Sequence, residues 1–250
     1  LQSCSSLVEL PSFGNATKLE ILDLDYCSSL VKLPPSINAN NLQELSLRNC
    51  SRLIELPLSI GTARNLFLKE LNISGCSSLV KLPSSIGDMT NLKEFDLSNC
   101  SNLVELPSSI GDMTNLKEFD LSNCSNLVEL PSSIGNLQKL AKLKMSGCSK
   151  LEALPTNINL KSLDTLNLTD CSRLKSFPEI STHIKYLMIT GTAIKEVPLS
   201  IMSWSPLIEF HISYFESLKE FPHALDIITE LQLSKDIQEV PQWVKRMSRL

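Results

Sequence analysis

The residues of this chain best suited to chemistry are eight cysteines and three histidines. Cysteine supplies disulfides, zinc ligands or a nucleophile, and histidine supplies ligands or proton transfer. All of these uses need side chains that converge. The cysteines instead stand at Cys4, Cys27, Cys50, Cys76, Cys100, Cys124, Cys148 and Cys171, in steps of 23, 23, 26, 24, 24, 24 and 23 residues. There is no Cys-x-x-Cys, and His183, His211 and His223 have no zinc spacing and no nucleophile or carboxylate that the pattern brings to them. No Gly-rich phosphate loop is present. The expectation is no catalytic residue, no metal and no cofactor in this chain. Thiols in register mark one structural slot filled again in each unit of a repeat.

Each cysteine closes a nine-residue phrase with apolar residues at places one, four and six, as in Leu92-Lys-Glu-Phe95-Asp-Leu97-Ser-Asn-Cys100, and a proline follows seven residues later. The phrase outlives the cysteine: Thr192, Phe215 and Asp236 take its slot before Pro198, Pro222 and Pro241. Alternation at places four and six is that of a short strand with one buried face. A unit of 20–26 residues is too small to wrap a core, so the units must stack, each strand pairing in parallel with the next. The residue before each proline is held extended, and Gly61, Gly87, Gly111 and Gly135 are read as supplying the turn that follows. This is the leucine-rich-repeat pattern, with cysteine where many such repeats place asparagine.

The predicted fold is an α/β solenoid: a horseshoe with a parallel sheet on its concave face, mostly 3₁₀ or irregular structure on its convex side, and about ten complete repeats. Residues 1–250 form a single domain whose repeats become irregular after about 172. Neither end shows the polar cap a terminal repeat requires, so the chain is read as a piece of a longer protein. Cys27, Cys50, Cys76, Cys100, Cys124, Cys148 and Cys171 should form a buried, reduced structural ladder, which favours a reducing compartment. Six Asn-x-Ser/Thr sequons are read as accidents of a Ser-rich repeat. A net charge of −4 with no basic stripe argues against nucleic acid. No apolar run is long enough to span a membrane.

In a repeat the shared slots are scaffold, so recognition is sought where units differ. Along the middle of the strand face the solvent-facing places repeat Lys-Glu, Asp and Ser-Asn almost without change. Toward the C-terminus they become Lys185, Tyr186 and Met188, then Glu209, His211 and Tyr214. Aromatic and methionine side chains on a face that should be polar resemble binding hot spots. Lys144 breaks an acidic column, and Tyr26 and Arg48 form a weaker N-terminal candidate. Two residues before the prolines, Glu9, Lys32, Glu55, Lys81, Glu105 and Glu129 mostly alternate in sign and are read as cross-rung pairs.

The phrase Leu92–Gly111, Leu-Lys-Glu-Phe-Asp-Leu-Ser-Asn-Cys-Ser-Asn-Leu-Val-Glu-Leu-Pro-Ser-Ser-Ile-Gly, resembles those of plant TIR-type nucleotide-binding leucine-rich-repeat immune receptors, of the downy-mildew resistance type. That resemblance implies an intracellular receptor, in the cytoplasm or nucleus, whose repeats bind an oomycete-type effector protein. It also implies that they help hold the nucleotide-binding domain inactive, with contacts to that domain and to a C-terminal one. Activation would assemble a homo-tetramer of the whole receptor. The ADP/ATP and NAD+ chemistry of that family belongs to other domains. From the residues alone, a cell-surface receptor ectodomain and a substrate adaptor or scaffold stay open.

Overall fold

The structure, a computed structural model, describes residues 1–11, 16, 18–35, 37, 41–61, 67–204, 207–233, 244 and 247. Ten strands form one parallel sheet in chain order: β1 (Ile21–Asp23), β2 (Glu44–Ser46), β3 (Glu70–Asn72), β4 (Glu94–Asp96), β5 (Glu118–Asp120), β6 (Lys142–Lys144), β7 (Thr165–Asn167), β8 (Tyr186–Ile189), β9 (Glu209–Ser213) and β10 (Glu230–Gln232). Like places pair with like: Leu71 faces Phe95, Phe95 faces Phe119, and Phe119 faces Leu143. This is the expected leucine-rich-repeat horseshoe, one strand to each phrase. Its convex side carries short 3₁₀ turns such as Ser84–Asp88, Ser108–Asp112 and Ser132–Asn136, each entered from an extended proline. Near the C-terminus it adds one four-residue helix, Pro222–Leu225. No described helix is long and apolar enough to cross a membrane.

The apolar places of successive phrases build one continuous core, in which Phe95 and Phe119 stack at 5.4 Å. The thiol ladder lies inside it. Cys27 through Cys171 are fully buried and unbridged, while Cys4 is half-buried. Each buried thiol donates to the place-six carbonyl of the preceding rung: Cys76 to Leu47 at 3.3 Å, Cys100 to Ile73 and Cys124 to Leu97 at 3.2 Å, and Cys171 to Met145 at 3.1 Å. Cysteine thus combines the packing of a small hydrophobe with a donor that stitches rung to rung.

The glycines lie in the turns after the prolines, as the sequence suggested, and the structure adds the reason for them. Gly87 and Gly111 lie inside their 3₁₀ turns, and what requires them is the next rung. A Cβ on Gly87 would stand 2.3 Å from the Ser109 carbonyl oxygen, and one on Gly111 would stand 2.4 Å from that of Ser133. The conformational demand falls on place eight instead, where Tyr26, Asn49, Gly75, Asn99, Asn123, Gly147, Asp170 and Gly191 all have φ between 58° and 74°. Asn, Asp and Gly are the residues that tolerate this left-handed region.

Trp204 fills the core behind the C-terminal rungs, buried beside Phe177 at 5.8 Å. The 26-residue unit between Cys50 and Cys76 carries two extra residues near Phe67; residues 62–66 fall outside the described ones, Phe67 itself is exposed and Leu68 is buried. Asp236 and Pro241 also fall outside them.

Candidate functional site

The strand face is built from places three and five, and half of the place-five residues are occupied locally. Asp23, Asn72, Asp96, Asp120 and Asn167 each accept the place-seven amide with Oδ1, at 2.8–3.0 Å. These are Asx caps that shape the turn toward the left-handed residue. The sequence marks them as solvent-facing polar positions, whereas their oxygens serve the backbone of their own rung.

Three rungs put a side chain at place five that cannot cap: Lys144, Met188 and His211. Two of them are neighbours. Met188 pairs with His211 across β8 and β9, and Tyr186 pairs with Glu209. All four side chains are half-buried. His211 lies between two carboxylates, its Nε2 3.6 Å from Glu209 and its Nδ1 3.6 Å from Glu230. Lys185 is exposed at the edge of this group, and its carbonyl accepts the Ile208 and Glu209 amides. Tyr214 follows β9 at place eight, where its amide donates to Gln232 at 2.7 Å. The structure therefore gathers Tyr186, Met188, His211 and Glu209 on adjacent strands, with Lys185 and Tyr214 at their margins.

Lys144 belongs elsewhere. It lies on β6, separated from Met188 by β7, and its Nζ sits 2.5 Å from Glu118 and 3.8 Å from Asp120. Lys142 reaches the other Glu118 oxygen at 3.3 Å. These lysines terminate an acidic strip in which Glu44, Glu70, Glu94 and Glu118 stand in direct register. Partial burial, then the charges of Glu94 and Glu44, holds the Glu70 carboxyl above its ordinary range. Burial also acts to raise Glu118, but the hydrogen bonds and charges of Lys144 and Lys142 bring it below that range. Lys144 is raised in turn by its bond to Glu118.

At the N-terminal end, the Arg48 guanidinium sits 5.9 Å from the centre of the Tyr26 ring, and the Arg48 amide donates to Asp25 at 3.0 Å. Tyr26 is 43% exposed at φ 60°, in a left-handed slot that most rungs give to Asn, Asp or Gly. This pair is seven strands from β8, so the two candidate surfaces are separate.

The comparisons agree with this architecture. The leucine-rich-repeat family model matches residues 67–89, 91–113 and 115–137. The leucine-rich repeat domain of the type III effector XCV3220 (XopL) superposes with a TM-score of 0.54 at 25% identity, covering 68% of each chain. Over 94 residues the sequence is 85% identical to the probable disease resistance protein RPP1 of Arabidopsis thaliana, and over 97 residues it is 43% identical to the disease resistance protein RML1A of the same plant. The chain carries leucine-rich repeats and over the matched stretches is similar to plant disease-resistance proteins. The kinship implied by its Cys-Ser-x-Leu-x-x-Leu-Pro phrase holds. The matches cover 38% of this chain in both cases, and 8% and 10% of those relatives, so the whole relative is far longer than the matched repeats.

Two features of the leucine-rich-repeat face escaped sequence reasoning. The left-handed column was visible as Asn, Asp or Gly before most cysteines, with Ser3 and Tyr26 as the exceptions. The Asx caps were visible as Asp-x-Ser and Asn-x-Ser at places five to seven.

Proposed function

We propose that these repeats are the recognition module of an intracellular plant disease-resistance receptor of the TIR-type nucleotide-binding class. They bind a pathogen effector protein of oomycete type on the C-terminal part of the concave face. In the same receptor they contact the nucleotide-binding and C-terminal domains and help hold the former inactive until the receptor assembles as a tetramer. The nucleotide and NAD+ chemistry resides in those other domains.

The observation that carries this reading is the replacement of Asx caps by Met188 and His211 on adjacent strands, beside Tyr186. A side chain that caps its own turn is spent on its backbone, whereas Met188 does not cap and His211 meets the carboxylates of Glu209 and Glu230 instead. Half-buried aromatic and methionine groups release water from a large contact area at low entropic cost. The names of the similar proteins speak of disease resistance, which supports a partner of pathogen origin.

The test is to screen secreted oomycete effectors against the full-length receptor and then compare wild type with the Tyr186→Ala/His211→Ala double variant. Loss of two central anchors should weaken binding at least about thirtyfold, since each anchor of this kind contributes roughly 1–2 kcal/mol or more. The thermal melt should move little, because both side chains lie outside the core. Wild-type affinity in the double variant, or no effector retained by the receptor, overturns the reading.

A further inference from the structure

One rung-by-rung column lies outside the strand face and takes no part in it. Four residues after each of the first six cysteine slots stand Val8, Val31, Ile54, Val80, Val104 and Val128. Val31 is half-buried, and the other five are 41–50% exposed. Backbone bonds join Val8, Val31 and Ile54 in one group and Val80, Val104 and Val128 in another: the Val31 amide donates to Val8 at 3.0 Å, Ile54 to Val31 at 3.3 Å, Val104 to Val80 at 3.2 Å and Val128 to Val104 at 3.5 Å. The result is a flat β-branched stripe about 25–30 Å long at rung spacing. It ends where the same column turns charged, at Glu152, Lys175, Lys195 and Lys219. Contiguous exposed apolar surface of this kind marks an interaction face.

The column beside the stripe says what covers it. From the first rung to the sixth it reads Glu9, Lys32, Glu55, Lys81, Glu105, Glu129, all exposed. Along the column within one chain, Lys32 and Glu55 close an ion pair at 3.3 Å. When two copies meet face to face about a twofold axis lying across the stripe, the stripes run antiparallel and each column faces itself in reverse order. With that axis between the Ile54 and Val80 rungs, Val8 meets Val128, Val31 meets Val104, and Ile54 meets Val80. Lys32 then faces Glu105, and Glu55 faces Lys81, twice each by symmetry. Only the outermost pair, Glu9 with Glu129, is alike in charge.

A shift of one rung sets Lys32 against Lys81 and Glu55 against itself in one direction, or Glu55 against Glu105 and Lys81 against itself in the other, and like charges directly opposed are destabilising. A parallel arrangement would place the charged column opposite the one on the stripe's other side, where Arg52 is the only charge over these six rungs. The alternation therefore selects the antiparallel register that uses the whole stripe. We propose that this flank is a self-association surface, its occupant a second copy of the chain in that register. Its extent is at the low end of specific interfaces, so the dimer is weak, dissociating at roughly tens to hundreds of micromolar.

Sedimentation velocity on this chain over a wide range of concentration tests the proposal, with circular dichroism confirming that each variant is folded. The wild type should shift from monomer to dimer as concentration rises, and Val104→Asp should abolish the shift. Lys32→Glu should raise the dissociation constant at least about tenfold, because two attractive pairs become repulsive. Adding Glu105→Lys should restore it to within about threefold. Lys32 and Glu105 are three rungs apart in one chain, roughly 15 Å, so a rescue reports contact between copies. A wild type that stays monomeric throughout, a Lys32→Glu variant that dimerises normally, or a double variant no better than the single one overturns the proposal.

Discussion

Alkylation of the cysteine ladder probes both the packing and the chemistry of the stack. A thiol reacts as its thiolate, and burial pushes the Cys50 and Cys100 thiols from an ordinary 9.0 up to about 12. At pH 8 an ordinary thiol is roughly one-tenth thiolate, and one held at about 12 is roughly one ten-thousandth. That alone slows reaction about a thousandfold, before the absence of any exposed sulfur surface is counted. Burial likewise raises Cys76 and Cys124, each lying among neighbouring thiols. A short pulse of iodoacetamide on native protein, followed by peptide mass analysis, should therefore mark half-buried Cys4 and spare Cys50, Cys76, Cys100 and Cys124. The same pulse above the urea midpoint should mark all eight. Native labelling of Cys50 or Cys100 within tenfold of Cys4 would refute the buried ladder, and with it the stacking of the rungs.

Two further predictions concern the spacing and charge of the rungs. Gly111→Ala should cost roughly 2–3 kcal/mol by urea denaturation, because the new methyl meets the fixed backbone of Ser133. Gly135→Ala should cost less, roughly 1 kcal/mol, since its neighbour is the movable side chain of Ile158; the reverse order would contradict the close approach. Glu70→Gln should stabilise the protein at pH 7 by a few tenths of a kcal/mol after screening by solvent. A carboxyl held above its unfolded range opposes folding wherever it is ionised. The gain should therefore shrink as pH falls through the raised folded value and vanish once both states are protonated. A gain that persists in acid would point to packing as its source.

Much of this protein was legible one residue at a time. Leu97 and Cys100 announce their burial by recurring at a fixed place in every phrase, and that periodicity already requires a stack of parallel strands. The kinship with plant disease-resistance proteins was legible in the same way. Periodicity is a statement about one chain direction, however, and says little about what a side chain meets on the next rung. Asp96 and Met188 occupy the same place; only the folded turn reveals that one is engaged by the Ser98 amide. Lys144 looked like one more departure from the acidic column, and the sheet register turned it into the partner of Glu118.

The sequence by itself determined the repeat, the strand in each unit and the interior position of the thiols, because a regular alternation of apolar and polar residues has a single way to bury its apolar side. Tertiary structure alone decided why Gly111 must lack a side chain and how six scattered aliphatic residues become one exposed stripe. Both depend on how closely neighbouring coils approach, a distance fixed by the packing of all the rungs together.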